Sequence, residues 1–512
     1  MSDYAFYKNP MLLTDGYKLG HLMQYPQGTE YVYATWVPRS NQYFKAADKA
    51  VFFGLQYFIK EYLIKRFNEN FFRQDIEMIV KDWNTFLDGY LGSHENCLNE
   101  THLRALHSLG YLPIHIKALD EGTLSPVGHS QQMGIPQLSI VNTHPDFFWL
   151  PNFLESIMSS SLFLPTTSAT SAFLYKKELV RHARKTGFLT NLAYLGFSMH
   201  DFSMRGMALS EAALVSGMGH LAVFNGSETL SAIPGVCAYY GADYTKELVA
   251  GTVPATEHSV MSAAMSEGFT SEMEKANYVR LLTEVYPDAP FLSIVSDTRD
   301  YKDVVANILP SIKDIIMSRA GRLVVRPDSG EPVDIICGDP NSTDKFYRKG
   351  TYESLWDTFG GTINERGFKV LDHHVGIIYG DAITLGRQKE IYRRLEEKGF
   401  AATNLVLGIG SYTYQYISRD TLGFALKTSA VMINGEWKVV YKEPKTAGQT
   451  INKNSYRGFV KVFYDKGEML AVDGIPYSEE GGLLTTVFKD GQLVKETTLA
   501  QIRSRIDTEV LL

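Results

Sequence analysis

The sequence is poor in several features that define common classes of protein. Its only cysteines are Cys97, Cys237 and Cys337, which lie far apart and form no CxxC pair, so neither a disulfide framework nor a zinc site is indicated. No apolar run is long and continuous enough to span a bilayer, and the opening residues MSDYAFYKNP lack the basic and apolar regions of a signal peptide. These absences favour a cytoplasmic protein with no membrane partner.

An excess of positive charge is also missing. The formal net charge is -7 and the pI is near 6.0, whereas a protein that coats nucleic acid needs a strongly basic surface. We therefore expect no nucleic-acid partner, and local cations must meet any anionic ligand. The 512 residues, of which 45% are hydrophobic and 21% charged, are typical of a globular chain with two or three domains.

Two patterns of secondary structure divide the chain. From about residue 190 to 410, the apolar runs FLSIVSD, RLVVRPDSG, VGIIYGD and NLVLGIGS end in polar or glycine-rich loops and alternate with helical periodicity, which predicts a parallel sheet or barrel. From about 422 onward, alternating strands joined by NG, KG and DG turns predict hairpins before a short final helix. Residues 1–160 mix helices such as FFGLQYFIKEYLIKRF with strands such as LPIHIKAL. We therefore predict a barrel over 161–420, flanked by 1–160 and 421–512.

Unusual side chains follow the predicted parallel strands. In such architectures functional residues collect where strands end, and the residues at these points are Asp297, Thr298, Arg326, Asp328, Ser329, Asp381, Gly408, Gly410 and Ser411. Each alone is well explained as a helix cap or a turn. Together, the glycines can offer backbone N–H groups to phosphate, Arg326 can bind it as a cation, and the aspartates can hold ribose hydroxyls or Mg²⁺.

Further candidates lie outside these strand ends. The stretch TVPATEHSV places Glu257 before His258, HDFSMRG contains Phe202 near Arg205, NGSE contains Glu228, and TDGYK offers Asp15 and Tyr17. Each has an ordinary explanation as a core residue, a cap or a surface turn. A set of later cations, Arg419, Lys427, Lys442, Lys445 and Lys453, fits a solvated sheet face unless the side chains converge.

The motifs LLTDGYKLGHLMQYP, HDFSMRG, NGSE, VPATEHS, VSDT, VRPDSG, YGD and TVFKDGQLVKE, in this order and over nearly the whole chain, resemble those of the nicotinamide phosphoribosyltransferases. The resemblance implies a type II phosphoribosyltransferase fold: an irregular TIM-like α/β barrel plus a β-rich α+β domain formed by both chain ends. It also implies a homodimer with shared active sites. The implied activity is that of a pentosyltransferase of NAD salvage, which makes nicotinamide mononucleotide and pyrophosphate from nicotinamide and phosphoribosyl pyrophosphate.

The resemblance further implies roles for individual residues. Phe202 and a Tyr17 supplied by the other subunit, with Asp15 in the same segment, would hold the pyridine ring, while Glu228 and Arg326 would contact its carboxamide. ATP would phosphorylate His258, with Glu257 orienting the imidazole and Asp297 nearby. Mg²⁺ would bind mainly through substrate phosphates. The phosphoribosyl and phosphate contacts would be Arg205, Thr252, Asp328, Gly380, Asp381, Gly410, Ser411, Arg419, Arg39, Lys427, Lys442 and Lys453.

Three positions depart from the family pattern. Glu228 replaces an aspartate of the carboxamide pocket, Ser411 replaces a glycine of the phosphate loop, and Ala425 replaces a serine near the pyrophosphate lysines. The sequence also leaves two alternatives open. One is a nicotinate phosphoribosyltransferase of the same fold, and the other is a non-catalytic nucleotide-binding regulator that retained the scaffold.

Overall fold

The computed structural model describes residues 5–129, 132–189, 195–380, 382–443 and 454–511. The chain forms two compact units. The β-rich unit comprises Met1–Thr170, Gly235–Ala242 and Ile417–Glu509, and the barrel unit comprises Ser171–Pro234, Asp243–Tyr416 and Val510–Leu512. The sequence had placed the boundaries after 160 and 420, and had included 235–242 in the barrel.

Aromatic packing explains why 235–242 belongs to the β-rich unit. The ring of Tyr240 stacks on that of Phe53 at 4.9 Å between centroids, and its hydroxyl donates to the carboxylate of Glu121. Burial raises the pKa of Glu121 to about 7, although hydrogen bonds from Gln56, Gly54 and Tyr240 oppose the rise. No local pattern in the sequence indicates these contacts.

A seven-stranded antiparallel sheet organises the β-rich unit. Its strands lie in the order Glu436–Val439, Phe424–Ile433, Thr29–Pro38, Leu138–Asn142, Ile114–Ala118, Thr485–Lys489 and Gln492–Leu493. Strands from the beginning of the chain therefore pair on both sides with strands from its end. The expected β-rich domain formed by both chain ends is confirmed.

The glycine turns near the end of the chain form the predicted hairpins. Both central residues of each turn have positive φ, namely Asn434 and Gly435, Lys466 and Gly467, and Asp490 and Gly491. This conformation matches the twist of two-residue hairpins and favours Asn, Asp and Gly. The second turn joins Phe459–Asp465 to Glu468–Ile475, and the parallel strand Gly481–Gly482 completes that three-stranded sheet.

Helices and a small sheet complete this part of the chain. Lys49–Val51 pairs with Leu124–Pro126. The main helices are Leu55–Phe58, Ile59–Arg66, Asn68–Phe72, Ile76–Leu91, Glu100–Leu109, Leu150–Phe153, Glu155–Thr186 and Leu499–Leu511. Among the described residues, no helix combines the length and apolar character that crossing a bilayer requires.

The barrel unit is built on six parallel strands. Their order is Gly226–Ser227, Met199–Asp201, Leu405–Ile409, Val375–Tyr379, Arg322–Arg326 and Phe291–Val295. The segment 251–255 forms one parallel bridge to each edge strand, Gly251 to Gly226 and Ala255 to Ser293. The strands therefore close into an irregular ring, and the predicted α/β barrel is confirmed.

Helices follow the strands of the ring, as βα alternation predicts. They are Ser210–Leu221, Ala232–Tyr240, His258–Ala264, Ser271–Arg280, Tyr301–Asp303, Val304–Ile308, Leu309–Ser311, Lys313–Ser318, Pro332–Cys337, Lys345–Lys349, Thr351–Phe359, Leu385–Glu397 and Ser411–Tyr414. The helical run that begins at Tyr301 is broken at Ile312, whose ψ of 19 is not helical.

Glu480 connects three strands of the large sheet. Its carboxylate accepts from the hydroxyls of Tyr33 at 3.0 Å and Ser139 at 2.8 Å, and it pairs with Lys117. The side chain is 2% exposed. Because its partners lie on three neighbouring strands, one carboxylate satisfies polar groups across the sheet.

We expect Glu480→Ala to lower the free energy of unfolding by about 3 kcal/mol, because it leaves a lysine and two hydroxyls without their buried acceptor. Urea unfolding followed by circular dichroism measures the change. Glu479→Ala is the matched control, since Glu479 is exposed and its loss should change stability by less than about 0.5 kcal/mol. Equal stability of the two variants would contradict the role of Glu480.

Candidate active site

The candidate residues of the barrel unit meet at one edge of the ring. Parallel strands bring their carboxyl ends to the same edge, and the residues at or just after these ends are Phe202, Glu228, Glu257, His258, Asp297, Arg326, Asp328, Gly380, Gly410 and Ser411. Their positions along the chain differ by up to about 200 residues. The fold is therefore what makes them neighbours.

His258 lies among two carboxylates and a hydroxyl. Its Nδ1 is 3.0 Å from Oγ1 of Thr298, and its Nε2 is 3.7 Å from Oδ1 of Asp297 and 3.8 Å from Oδ2 of Asp328. The imidazole is 50% exposed. One ring nitrogen is thus held by the protein while the other faces the acidic side chains.

The two carboxylate oxygens of Asp297 differ in their hydrogen bonding. Oδ2 accepts from the backbone N–H of Asp328 at 3.0 Å and from the hydroxyl of Ser329 at 2.6 Å. Oδ1 is buried and has no hydrogen-bond partner among the described residues. Buried carboxylate oxygens normally have partners. This oxygen is therefore suited to a cation or a ligand hydroxyl.

Arg326 connects two of the strand ends. Its guanidinium donates to the carbonyl of Thr256 at 2.6 Å, and its Nε is 3.5 Å from Oδ1 of Asp328. The side chain is only 15% exposed. Anchoring to a backbone carbonyl fixes the guanidinium beside Asp328, where it can bind an anionic or carbonyl oxygen.

The side chain of Glu257 makes a different contact from the one that the resemblance implies. Its carboxylate accepts from the hydroxyl of Ser259, since Glu257 is the residue before the helix His258–Ala264 and its side chain turns back along that helix. Thr298 and Asp297 instead surround the imidazole of His258. Adjacency in sequence did not place the two side chains together.

The ring of Phe202 lies against two glycines. It stacks with His200 at 5.8 Å between centroids. A Cβ on Gly408 would lie 2.4 Å from the Phe202 ring, and one on Gly380 would lie 3.8 Å from that ring and 3.5 Å from Oδ1 of Asp328. Glycine at 408 is therefore required by the close approach of the aromatic ring.

Two other predicted residues make contacts that the sequence did not indicate. The hydroxyl of Thr252, expected at a phosphate, donates to the exposed carboxylate of Glu228. The side chain of Ser411 lies so close to Gly206 that a Cβ there would be 2.0 Å from its Oγ. Arg205, next to Gly206, is exposed.

The remaining candidates lie in the β-rich unit. Tyr17 is 67% exposed, and burial, with Glu155 and Asp15 adding to the effect, raises its pKa. The backbone N–H of Asp15 donates to Oγ of Ser156 at 3.2 Å. Asp381, Lys445 and Lys453 fall outside the described residues.

The cations of this unit converge. Burial and then Arg419 lower the pKa of Arg39. Burial also lowers the pKa of Lys427. Glu155 lies 3.7 Å from its Nζ and opposes this lowering. The neighbouring cations Arg39, Arg419 and Lys442 lower the pKa further. Arg39, Ala425 and Lys427 line one cleft. The cationic side chains are close enough to influence one another, and the cleft beside them is suited to an anion.

Sequence reasoning missed Thr256, and it named Thr298 and Ser329 at the strand ends without assigning them a role in the site. Thr298 and Ser329 follow predicted strands, and that position was the available signal. Thr256 acts through its carbonyl, which accepts from Arg326, and through its hydroxyl, which accepts from the N–H of Val295 at 2.9 Å. Every residue has a backbone carbonyl, so the residue type at 256 could not indicate the contact with Arg326.

Comparisons with known proteins agree with this geometry. Residues 197–492 match the nicotinate phosphoribosyltransferase family, and residues 9–88 match the N-terminal domain of nicotinamide phosphoribosyltransferase. A nicotinamide phosphoribosyltransferase of Acinetobacter baylyi is 43% identical over 98% of each chain, and one of Xanthomonas campestris is 31% identical over 98% of each. The solved nicotinate-nucleotide pyrophosphorylase of Ehrlichia chaffeensis covers 78% of this chain and 89% of its own at 8% identity, with a TM-score of 0.35, a likeness too weak to bear on the fold.

The ring of strands, its polar carboxyl edge and the match over more than half of the chain define a phosphoribosyltransferase, an enzyme of the pentosyltransferase class. The two bacterial relatives match over nearly the full length of both chains, and this narrows the class further. The chain belongs to the family of the nicotinamide phosphoribosyltransferases.

We expect Gly408→Ala to reduce phosphoribosyl transfer at least about tenfold, because the new methyl group must displace the ring of Phe202 and misplaced binding groups cost rate steeply. Steady-state kinetics on folded protein measure the loss. Gly386→Ala is the control: a Cβ there has 3.9 Å of clearance, and alanine favours the helix Leu385–Glu397. Full activity of Gly408→Ala would show that Phe202 need not keep this position.

Proposed function

We propose that the protein transfers a phosphoribosyl group from phosphoribosyl pyrophosphate to nicotinamide in NAD salvage. One observation carries the proposal: the ring of Phe202 and the carboxylate of Asp328 both lie next to Gly380, at 3.8 and 3.5 Å from the position that a Cβ on this glycine would occupy. An aromatic ring, a carboxylate and a glycine this close together are suited to the base, the ribose and the phosphate of a nucleotide. The names of the bacterial relatives support the choice of nicotinamide.

The proposed reaction is a displacement at the anomeric carbon. The lone pair of the pyridine nitrogen forms the new N–C bond, and the C–O bond to pyrophosphate breaks with its electron pair leaving on oxygen. No proton must be removed from the attacking nitrogen. Stacking on Phe202 orients the ring without blocking this nitrogen, and Asp328 holds the ribose. The protein's contribution is positioning and charge stabilisation.

Asp297 and Asp328 are the residues that would hold Mg²⁺. The buried, unpartnered Oδ1 of Asp297 is the kind of oxygen ligand that this ion prefers. When bound with the substrate, Mg²⁺ would neutralise negative charge on the pyrophosphate. The same oxygen lies 3.7 Å from Nε2 of His258, so metal, histidine and leaving group would share one side of the site.

We propose that the protein is a homodimer with shared sites. The exposed Tyr17 would stack on the pyridine ring bound at Phe202 of the partner subunit. The clustered cations Arg39, Arg419, Lys427 and Lys442, with Lys453, would bind pyrophosphate. A cytoplasmic location is part of the proposal, supported by three free thiols.

Glu228 is the proposed selector of nicotinamide over nicotinate. A carboxamide can donate its N–H to the Glu228 carboxylate, whereas nicotinate brings a second negative charge. Because Glu228 is exposed, this repulsion at about 4 Å should be near 1 kcal/mol, or about fivefold in specificity. Thr252 binds one carboxylate oxygen, which leaves the other for the amide.

Product formation from each pyridine, with and without ATP, tests the function. We expect nicotinamide to give a kcat/KM at least about fivefold above that of nicotinate, and we expect Glu228→Gln to narrow the ratio. Glu211→Gln is the control, because it removes an acid elsewhere in the barrel unit. A native preference for nicotinate would favour the alternative named by the matching family, and no transfer to either substrate would favour the regulator.

We further propose that ATP phosphorylates His258. Its imidazole is half-exposed, with Nε2 facing Asp297 and Asp328, while Thr298 holds Nδ1. In that step the Nε2–P bond forms as the bond from the γ-phosphorus to the bridging oxygen of ADP breaks. A phosphoryl group on Nε2 would lie on the side of Asp297 and Asp328, the residues that would hold Mg²⁺, and the ion would supply charge neutralisation there.

We expect His258→Ala to lose ATPase activity and ATP stimulation while retaining slow transfer, since the displacement itself needs no phosphohistidine. The measurements are ATP hydrolysis, acid-labile incorporation from γ-labelled ATP, and transfer rate with and without ATP. His373→Ala is the control, as His373 is exposed in the loop before Val375–Tyr379, at the other edge of the ring. Undiminished ATP stimulation of His258→Ala would refute the phosphohistidine.

A further inference from the structure

The hydroxyl of Tyr175 connects two segments at the carboxyl edge of the ring, the loop at Ile383 and the short helix Ser411–Tyr414 with the loop that leads into it. Tyr175 lies in the helix Glu155–Thr186 and is 2% exposed. Its hydroxyl donates to the carbonyl of Ile383 at 2.8 Å and lies 3.3 Å from Oγ1 of Thr413. Because a carbonyl can only accept, the phenolic proton goes to Ile383, and Thr413 must donate to the phenolic oxygen. The three residues form a chain of two hydrogen bonds.

The two segments follow neighbouring strands. Ile383 comes three residues after Gly380, beyond the strand Val375–Tyr379, and Thr413 comes two residues after Ser411, beyond the strand Leu405–Ile409. These strands pair directly in parallel. On the proposed function, the loops at Gly380 and at Ser411 bind the 5′-phosphate of the substrate. The buried Tyr175 therefore links the two segments that would form the two sides of one phosphate site.

The first loop needs such support because of its backbone. Ala382 has φ 51, a left-handed conformation that is unfavourable for alanine. The bond from Tyr175 holds the next residue, Ile383. The same tyrosine accepts from Nε2 of Gln388 at 3.0 Å through its own carbonyl, so the helix that follows the loop is anchored to it as well.

The phenol is suited to this role at all physiological pH values. Burial raises the pKa of Tyr175 to about 12, although the hydrogen bond with Thr413 opposes the rise. The group therefore remains protonated and keeps its donor.

We propose that Tyr175 is a positioning residue that sets the spacing of the two phosphate loops and thereby the affinity for the 5′-phosphate of phosphoribosyl pyrophosphate. The proposal rests on the proposed function for the identity of that ligand. Tyr175 is only 2% exposed, so its role would be one of positioning and not of direct contact with the substrate. Its effect reaches the ligand through the backbone at Ile383 and the hydroxyl of Thr413.

The test is Tyr175→Phe, which keeps the ring and removes the hydroxyl. We expect KM for phosphoribosyl pyrophosphate to rise roughly tenfold, the equivalent of losing one buried hydrogen bond, while KM for nicotinamide changes less than about twofold. By calorimetry, the affinity for nicotinamide mononucleotide should fall by a similar factor and that for nicotinamide should not.

Tyr352→Phe is the matched control for a purely structural effect. Tyr352 is 1% exposed, and its hydroxyl also donates to a backbone carbonyl at 2.8 Å, that of Ala401. Ala401 precedes the strand Leu405–Ile409 and lies at the opposite edge of the ring. Both variants should lose similar thermal stability, but only Tyr175→Phe should weaken phosphate binding. Equal KM values for phosphoribosyl pyrophosphate in the two variants would overturn the proposal.

Thr413→Val tests the same hydrogen-bond chain without changing Tyr175, so it remains informative if Tyr175→Phe folds poorly. A double-mutant cycle then measures whether the two side chains act together. Thr413→Val alone should raise KM for phosphoribosyl pyrophosphate, and it should add less than its single effect in the Tyr175→Phe background. Full additivity, or no effect of Thr413→Val, would refute the chain.

The outcomes also separate this inference from the proposed function. If the native protein transfers phosphoribosyl groups and Tyr175→Phe is selectively impaired, both stand, whereas unimpaired Tyr175→Phe overturns the inference alone. If the native protein transfers none, the proposed function fails. The inference then depends on calorimetry, where weakened mononucleotide binding relative to Tyr352→Phe supports it and unchanged binding overturns it.

Discussion

The candidate active site depends on the way segment 251–255 closes the ring of parallel strands. The N–H of Gly251 donates to the carbonyl of Asn225 at 2.8 Å, and at the other edge the N–H of Ser293 donates to Pro254 at 2.9 Å and that of Thr256 to Ser293 at 3.0 Å. A segment fixed on both sides has little freedom at its end. Thr256, Glu257 and His258 emerge there, and their place at the carboxyl edge follows from this closure.

The site contains groups that the protein alone does not satisfy. Asp297 is buried with one oxygen unpartnered among the described residues, and a carboxylate of this kind costs stability that a bound cation or hydroxyl can recover. His258 faces the same oxygen from solvent. Such an arrangement is typical of a site in which a bound ligand or cation balances the charge of the protein. Protein groups that are already aligned with a ligand need no reorganisation during a reaction.

Much of this could be predicted from the sequence, and the limits have physical causes. Strand ends and hairpins were predictable because alternation and NG, KG and DG turns are local properties, as Asn434 and Gly435 illustrate. The place of 235–242 was not, because it depends on Tyr240 meeting Phe53. The contact of Glu257 was also missed, because a helix beginning at His258 turns that side chain toward Ser259.

The three departures from the family pattern each occur beside a group that can accommodate them. The longer Glu228 is held by the hydroxyl of Thr252, which uses one oxygen and fixes the direction of the other. In the cleft lined by Ala425 and Lys427, Ser455 also lines the wall, and its hydroxyl accepts from the N–H of Lys442 at 2.8 Å. A hydroxyl therefore remains near the cations although position 425 lacks one.

Ser411 illustrates the same coupling in the loop that follows the strand Leu405–Ile409. Its side chain occupies the space in front of Gly206, where a Cβ would lie 2.0 Å from its Oγ. A larger residue at 411 is thus compatible with the fold only because position 206 has no side chain. Substitutions at the edge of the ring are linked in pairs, so the tolerance of one position is determined by its neighbour across the site and not by its own loop.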